Sequence, residues 1–195
     1  MKMHSCQQGS EDWFKLRAGK LTASNAQAIA TAGKGLETLC YKTLADKYAT
    51  TLEEGYTNSN MERGTELESQ ARSIYELETG VVVDQVGFIE YSDYVGGSPD
   101  GLIGTDGVVE IKCHDNTNHF RLLTGQDTDP KYVWQMQMLL LITGREYADM
   151  LAYCPNFSKS LIVRRFEKDA DMHKKLLAGF VEGERLIKEI ESKLK

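Results

Sequence analysis

A chain of 195 residues with 41% hydrophobic and 27% charged residues has the makeup of one compact folded domain, taken here as 1–195, and excludes a disordered or collagen-like polymer. Its net charge of −6 excludes a uniformly basic nucleic-acid-coating surface, although a local basic track remains compatible with it. The four cysteines are scattered without a C-x-x-C pair, no H-E-x-x-H spacing is present, and no apolar run is long enough to cross a bilayer; the expectation is no zinc ribbon, no disulfide framework, no membrane partner, and a reducing cytoplasm, with no signal-peptide pattern at the N-terminus.

In chain order, Ser10 followed by Glu11 and Asp12 predicts a helix start, and Gly19 its stop. Ser24 is placed to cap a second short helix through Ala30, and Gly33-Lys34-Gly35 reads as a flexible loop. Residues 37–50 repeat apolar positions at helical spacing. Asn58 to Thr79 reads as a longer helix ended by Gly80 in a left-handed cap. Val81 to Tyr91, Tyr94 to Ile103 and Val108 to Cys113 read as consecutive strands, with Asp106-Gly107 as a hairpin-type turn signal before the last. Asp129-Pro130 opens a helix to Thr143 that is apolar nearly all round and therefore expected to be buried. Tyr147 to Tyr153 and Leu161 to Phe166 are strand candidates. A final amphipathic helix carries Leu176, Leu177, Phe180, Val181, Ile187, Ile190 and Leu194 as its inward stripe. This order predicts an α/β fold with a central mixed sheet flanked by helices.

The chemistry concentrates in S-P-D-G-L-I-G-T-D-G-V-V-E-I-K. Strand side chains alternate faces, so Glu110 and Lys112 point one way while Val109 and Ile111 point into the core. A short hairpin brings Asp100 beside Glu110. Two carboxylates converging with an ammonium suit a hard divalent cation and a water nucleophile, which is hydrolytic chemistry on a phosphate ester. Asp100, Glu110 and the Ile111 carbonyl are the expected metal ligands. Lys112 is expected to act on the water, and Glu68, on the flank of the preceding helix, to orient it or reach a metal through it. Gln135 interrupts an apolar helix and must find hydrogen-bond partners, for which a site carboxylate or a catalytic water would serve. Each residue also has a plain reading. Asp100 can stabilise a turn, Glu110 and Lys112 can be a surface pair, Glu68 can pair with Arg72, and Gln135 can satisfy a backbone carbonyl. Lys15, Arg17, Lys20, Lys34 and Arg164-Arg165 are candidates for a basic track, or else ordinary solvated charges.

Asp100, Glu110-Ile111-Lys112 and the upstream Glu68 resemble the PD-(D/E)XK nuclease superfamily with its restriction-endonuclease-like fold. The chain is more narrowly similar to the phage lambda exonuclease and viral alkaline-exonuclease recombinase family. Four stretches carry the resemblance: D-W-F-K-L-R-A-G-K-L-T-A-S (Asp12–Ser24), R-G-T-E-L-E-S-Q-A-R (Arg63–Arg72), S-P-D-G-L with E-I-K-C, and Y-V-W-Q-M-Q (Tyr132–Gln137). It implies a 5′→3′ exonuclease on double-stranded DNA ends, using Mg²⁺ (Mn²⁺ as a substitute), with two ions per site. It assigns Glu68, Asp100, Glu110, Lys112 and Gln135 to catalysis, and Arg17 with Ser24 to the 5′-terminal phosphate. A guanidinium with a hydroxyl at a helix start suits a phosphate dianion, although Arg17 alone can equally be a surface salt bridge. The family implies a homotrimeric ring, a single-strand annealing protein as partner, 3′ overhangs as product, and a bacterial or phage-infected cell as the setting. One departure is visible: His114 follows Cys113 where lambda exonuclease has Pro. A restriction-type endonuclease and a non-catalytic DNA-end scaffold are the competing expectations.

Overall fold

The computed structural model of the chain describes residues 1–50 and 59–194, with the side chains of the second stretch described from Glu66 onward. The chain runs β1 (Lys2–His4), α1 (Glu11–Arg17), β2 (Leu21–Thr22), a 3-10 turn (Ala23–Asn25), α2 (Ala26–Thr31), α3 (Lys34–Tyr48) and α4 (Ser59–Thr79). It continues with β3 (Phe88–Glu90), β4 (Val95–Gly97), β5 (Gly101–Ile103), β6 (Gly107–Cys113), α5 (Asn116–Leu123), α6 (Pro130–Thr143), β7 (Tyr147–Tyr153), β8 (Leu161–Glu167) and α7 (Ala170–Glu191). The expected α/β class is met, with one change in architecture. The strands form two mixed four-stranded sheets, ordered β1-β3-β4-β2 and β5-β6-β7-β8.

The division falls inside the segment read as one strand from Tyr94 to Ile103. Pro99 has no N–H and cannot continue a ladder, so the pairing stops at Ser98-Pro99-Asp100. β4 joins one sheet and β5 the other. In the second sheet β6 pairs antiparallel with β5 and parallel with β7, and β8 closes the far edge antiparallel to β7. Of the expected strand Val81–Tyr91 only Phe88–Glu90 is regular, while Asp84 makes a single bridge to Leu102.

Alternation along β6 splits the core onto two faces. Val108 joins Met136, Leu139 and Met150 under α6, while Val109 and Ile111 join Ala71, Tyr75 and Leu151 under α4. The helix at 130–143 forms as expected: the Asp129 carboxylate accepts the Lys131 N–H at 3.0 Å, Pro130 opens the first turn, and Gly144 closes it at φ +71°. The helix that ends at Thr79 is likewise capped by Gly80 at φ +71°, while Asn58, read as its first residue, lies outside the described residues.

Three local expectations need correction. Ser24 does not cap α2, because a 3-10 turn intervenes and Asn25 occupies the cap position without a side-chain bond. Gly33-Lys34-Gly35 is not a loop: Gly33 precedes α3, whose buried Leu36, Leu39, Cys40 and Leu44 draw the helix start back to Lys34. On α7 the inward face is Leu176, Phe180, Gly183 and Ile187, so Leu177 and Val181 lie one step round and are 42% and 72% exposed, and Leu194 lies beyond the helix.

Two glycines on that inward face let α7 approach closely. A Cβ on Gly179 would lie 2.1 Å from the Ile29 carbonyl oxygen, and one on Gly183 would lie 2.4 Å from the Leu21 Cδ1. Backbone cannot yield as a side-chain tip can. Gly179→Ala is therefore expected to lower unfolding free energy by about 1–3 kcal/mol, and Gly183→Ala by less. The check is the urea midpoint at constant m; equal midpoints for Gly179→Ala and the native chain would contradict the close approach.

Candidate active site

The site is assembled where the two sheets part. Asp100 stands one residue before β5, and its Oδ2 accepts the Ile111 backbone N–H at 2.6 Å. With Gly101 opposite Val109 in the ladder, this bond fixes the carboxylate beside β6. Glu110, on β6, faces α6 and is 4% exposed. Its Oε1 accepts from Gln135 Nε2 at 2.5 Å and from Lys112 Nζ at 2.8 Å. Its Oε2 is buried and has no hydrogen-bond partner among the described residues. The plain readings of Glu110–Lys112 as a surface pair and of Gln135 as a backbone clip do not describe this arrangement. Glu68 enters from α4, partly buried, close enough to Glu110 and Lys112 for their charges to move its carboxyl.

The charge set is unfavourable as it stands. Burial and then Glu110 hold the Asp100 carboxyl well above the usual carboxylate range, with Lys112 opposing. Burial and Glu110 raise Glu68 in the same way. Burial works against the Lys112 ammonium, but Glu110 and Asp100 outweigh it and raise its pKa, so Lys112 is firmly a cation. Three carboxylates against one ammonium leave two negative charges uncompensated when all are ionised. A divalent cation matches that deficit, and the unpartnered Glu110 Oε2 beside Asp100 supplies hard oxygen donors for it. Among the described residues no cluster of three or more His, Cys, Asp or Glu side chains is placed to hold a metal. Two carboxylate donors, Asp100 and Glu110, suit a hard cation that keeps several waters.

A cleft of about 490 Å³ lies alongside, lined by Trp13, Arg17, Thr22, Ser24 and Lys42 among others. The Arg17 guanidinium stacks on Trp13 at 4.2 Å and reaches Ser98 Oγ at 3.4 Å and Thr22 Oγ1 at 3.5 Å. Thr22 and Ser24 hydroxyls are 3.3 Å apart, and Trp13 Nε1 donates to Ser98 Oγ at 2.8 Å. Arg17 and Ser24 thus share one cleft, and Ser98, two residues before Asp100, ties that cleft to the carboxylates. The sequence reading overlooked Trp13 and Ser98; the i,i+4 spacing of Trp13 and Arg17 on α1 was the available signal.

Of the remaining basic candidates, Lys20 lines the same cleft as Arg17. Lys15 pairs with Glu11 and Lys20 with Glu90. Arg164 and Arg165 point to opposite faces of β8, one to Thr128 and Gln126, the other in a fork onto buried Asp149. His114 packs edge-on against Tyr132, with centroids 6.2 Å apart, and burial lowers its pKa. A third side chain missed from sequence is Tyr132 itself, whose ring lies 5.2 Å from Lys112 Nζ.

Comparison with known proteins agrees with this geometry. The model of the YqaJ-like viral recombinase domain matches residues 12–146. No curated protein sequence matches the chain. The chain superposes on the crystal structure of an alkaline exonuclease from Laribacter hongkongensis with a TM-score of 0.81 and 32% identity, covering 95% of this chain and 98% of that one. The same similarity holds for that enzyme in complex with dAMP. A phage related exonuclease from Haemophilus somnus 129PT shares the fold, with a TM-score of 0.67 at 14% identity over 93% of this chain and 99% of that one.

The raised Asp100 carboxyl has a signed consequence for stability. The folded state keeps that proton to higher pH than the unfolded chain does. The resulting penalty is absent in acid, where both states are protonated, grows as pH rises from the ordinary to the raised value, and is fully present above it. Asp100→Asn should therefore raise the melting temperature of the metal-free protein at about pH 8, leave it little changed near pH 4, and blunt the stabilisation that Mg²⁺ gives the native chain. Equal melting at both pH values, with an undiminished Mg²⁺ response, would place Asp100 outside the charged cluster.

Proposed function

The chain belongs to the YqaJ-like viral recombinase domain family, and on that premise we propose that it is a Mg²⁺-dependent exonuclease that digests one strand of linear double-stranded DNA 5′→3′ and leaves 3′ overhangs. The observation that carries this reading is the buried Glu110 carboxylate, one oxygen held by Lys112 and Gln135 and the other unpartnered among the described residues, beside Asp100. The sequence pattern of the PD-(D/E)XK superfamily and the likeness to an alkaline exonuclease support it. The dAMP bound by the Laribacter hongkongensis enzyme is a 5′-mononucleotide, the kind of product that stepwise hydrolysis from a DNA end releases.

Asp100 and Glu110, with the Ile111 carbonyl, would hold Mg²⁺ or Mn²⁺, two ions in the family pattern, supplying Lewis-acid activation of water and neutralisation of phosphate charge. Gln135 locks the Glu110 rotamer. Lys112, whose pKa is raised by Glu110 and Asp100, would hold the attacking water or help deprotonate it, or offset charge developing on the phosphate. Glu68, from α4, would orient the water or reach a metal through it. Arg17 and Ser24 take the 5′-terminal phosphate through a guanidinium and a hydroxyl, with Ser98 linking that pocket to Asp100. In this reading residues 1–195 act as one nuclease domain in the cytoplasm of a bacterial or phage-infected cell, as a homotrimeric ring on DNA ends that hands its overhang to a single-strand annealing protein. Among the described residues no helix is long and apolar enough to cross a membrane.

Linear 5′-phosphorylated, linear 5′-hydroxyl and covalently closed duplexes, each with Mg²⁺ or EDTA, separate the readings. Only linear DNA should be digested, faster with the phosphate, and only with Mg²⁺. Glu110→Gln should lower kcat by on the order of a thousandfold in a protein that still folds. Arg17→Ala should lose the phosphate preference, worth roughly 2 kcal/mol or about thirtyfold. Cleavage of closed circles would point to an endonuclease, and DNA binding without any metal-dependent product to a scaffold.

A further inference from the structure

Phe120 on α5 is 56% exposed, and Phe157, in the loop after β7, lies against it with rings inclined by only 24° and centroids 6.4 Å apart. Neither ring belongs to the two core clusters. The pair is nevertheless firmly built. His119, fully buried, packs its ring on Phe157 at 5.1 Å, and its Nε2–H donates to the Lys159 carbonyl at 2.9 Å. Asn156 Nδ2 donates to Asn116 Oδ1 at 2.7 Å, tying the loop to the start of α5. Asp115 caps that helix by accepting the Asn118 N–H at 2.7 Å.

The placement gives the pair a meaning. β6 and β7 run parallel, with Lys112 opposite Ala152 and Cys113 opposite Tyr153. α5 and the Phe157 loop leave the C-terminal ends of those two strands, so the aromatic pair stands at the end of the sheet that presents Lys112. Phe120 is the exposed ring of the pair and Phe157 is half-buried, with the Lys159 backbone held to His119. An exposed aromatic ring braced by a second ring suits an unpaired nucleobase, which stacks on its face. Two rings are too little area for a stable protein interface, which needs roughly 800 Å² per partner.

We infer that Phe120 and Phe157 form a stacking platform for an unpaired base of DNA at the edge of the active site. The inference rests on the nuclease reading above and extends it to the single-stranded end of the substrate. The base belongs either to the strand being cut, once it frays, or to the strand left behind; the chemistry is the same, and the test separates them.

The native full-length protein is bound, in EDTA, to a linear duplex with a short unpaired end carrying 5-iodouracil on one strand or the other. Near-ultraviolet light cross-links that base to a stacked aromatic ring, and the peptide is identified by mass spectrometry. A cross-link at Phe120 or Phe157 supports the platform, and the labelled strand that gives it identifies which strand is read. Phe120→Leu should weaken binding of the unpaired-end duplex about tenfold, whereas Phe120→Trp should retain it. Cross-links only at other residues, or native affinity in Phe120→Leu, overturn the proposal. So does a changed sedimentation coefficient in Phe120→Leu, which would make this face a contact between copies of the chain. A native protein that digests linear DNA with Mg²⁺ yet cross-links elsewhere loses the platform and keeps the nuclease reading. One that cross-links here without metal-dependent digestion loses the nuclease reading alone.

Discussion

Three carboxylates share one ammonium at a partly buried site, with Glu110 almost wholly enclosed, and the surrounding architecture is organised around that imbalance. Burial in low dielectric penalises each ionised carboxylate, and their mutual repulsion adds to the penalty. Lys112 relieves part of it by donating to Glu110 at 2.8 Å, and Gln135 adds a second donor to the same oxygen. The other Glu110 oxygen has no such relief among the described residues. A fold does not retain buried repulsion of this kind for stability, since apolar residues of similar volume would pack more favourably. It is retained where a ligand supplies the missing charge.

The backbone features that create the site are few. Pro99 ends one ladder and the next begins at Gly101, which leaves Asp100 at a joint with its side chain free to reach across to Ile111. β6 continues from that hairpin into a parallel pairing with β7, so its middle residues are covered on both faces. That coverage is what buries Glu110 and lets α6 bring Gln135 to it. The same joint carries Ser98, which receives Trp13 and Arg17 from α1. A pocket suited to a terminal phosphate and a cluster suited to a cation are thus connected through three consecutive residues, Ser98-Pro99-Asp100.

Much of this was legible in the sequence because the signals were local. The alternation Val109-Glu110-Ile111-Lys112 specified which side chains go inward, and Asp129-Pro130 with Gly144 bounded α6. Gln135 stood out because an amide in an apolar helix must be satisfied, though its partner came from a distant strand. Properties that depend on tertiary packing were not legible. The break at Pro99 divides one apparent strand between two sheets, and only the pairing partners reveal it. The inward face of α7 is set by Gly179 and Gly183 against α2 and β2, and apolar periodicity alone had included Leu177 and Val181. Arg164 and Arg165 are adjacent in sequence, yet strand alternation sends them to different faces. Tyr132 became visible only once it was seen carrying a cation on its ring, whereas Trp13 had a local sign in its i,i+4 spacing to Arg17.

A crystal grown with Mn²⁺ and examined for anomalous scattering tests the central claim most directly. The account predicts a peak within coordination distance of both the Asp100 carboxylate and the Glu110 Oε2 that has no partner among the described residues, with Lys112 still against Glu110 Oε1. A well-occupied Mn²⁺ elsewhere, with none between Asp100 and Glu110, would contradict it.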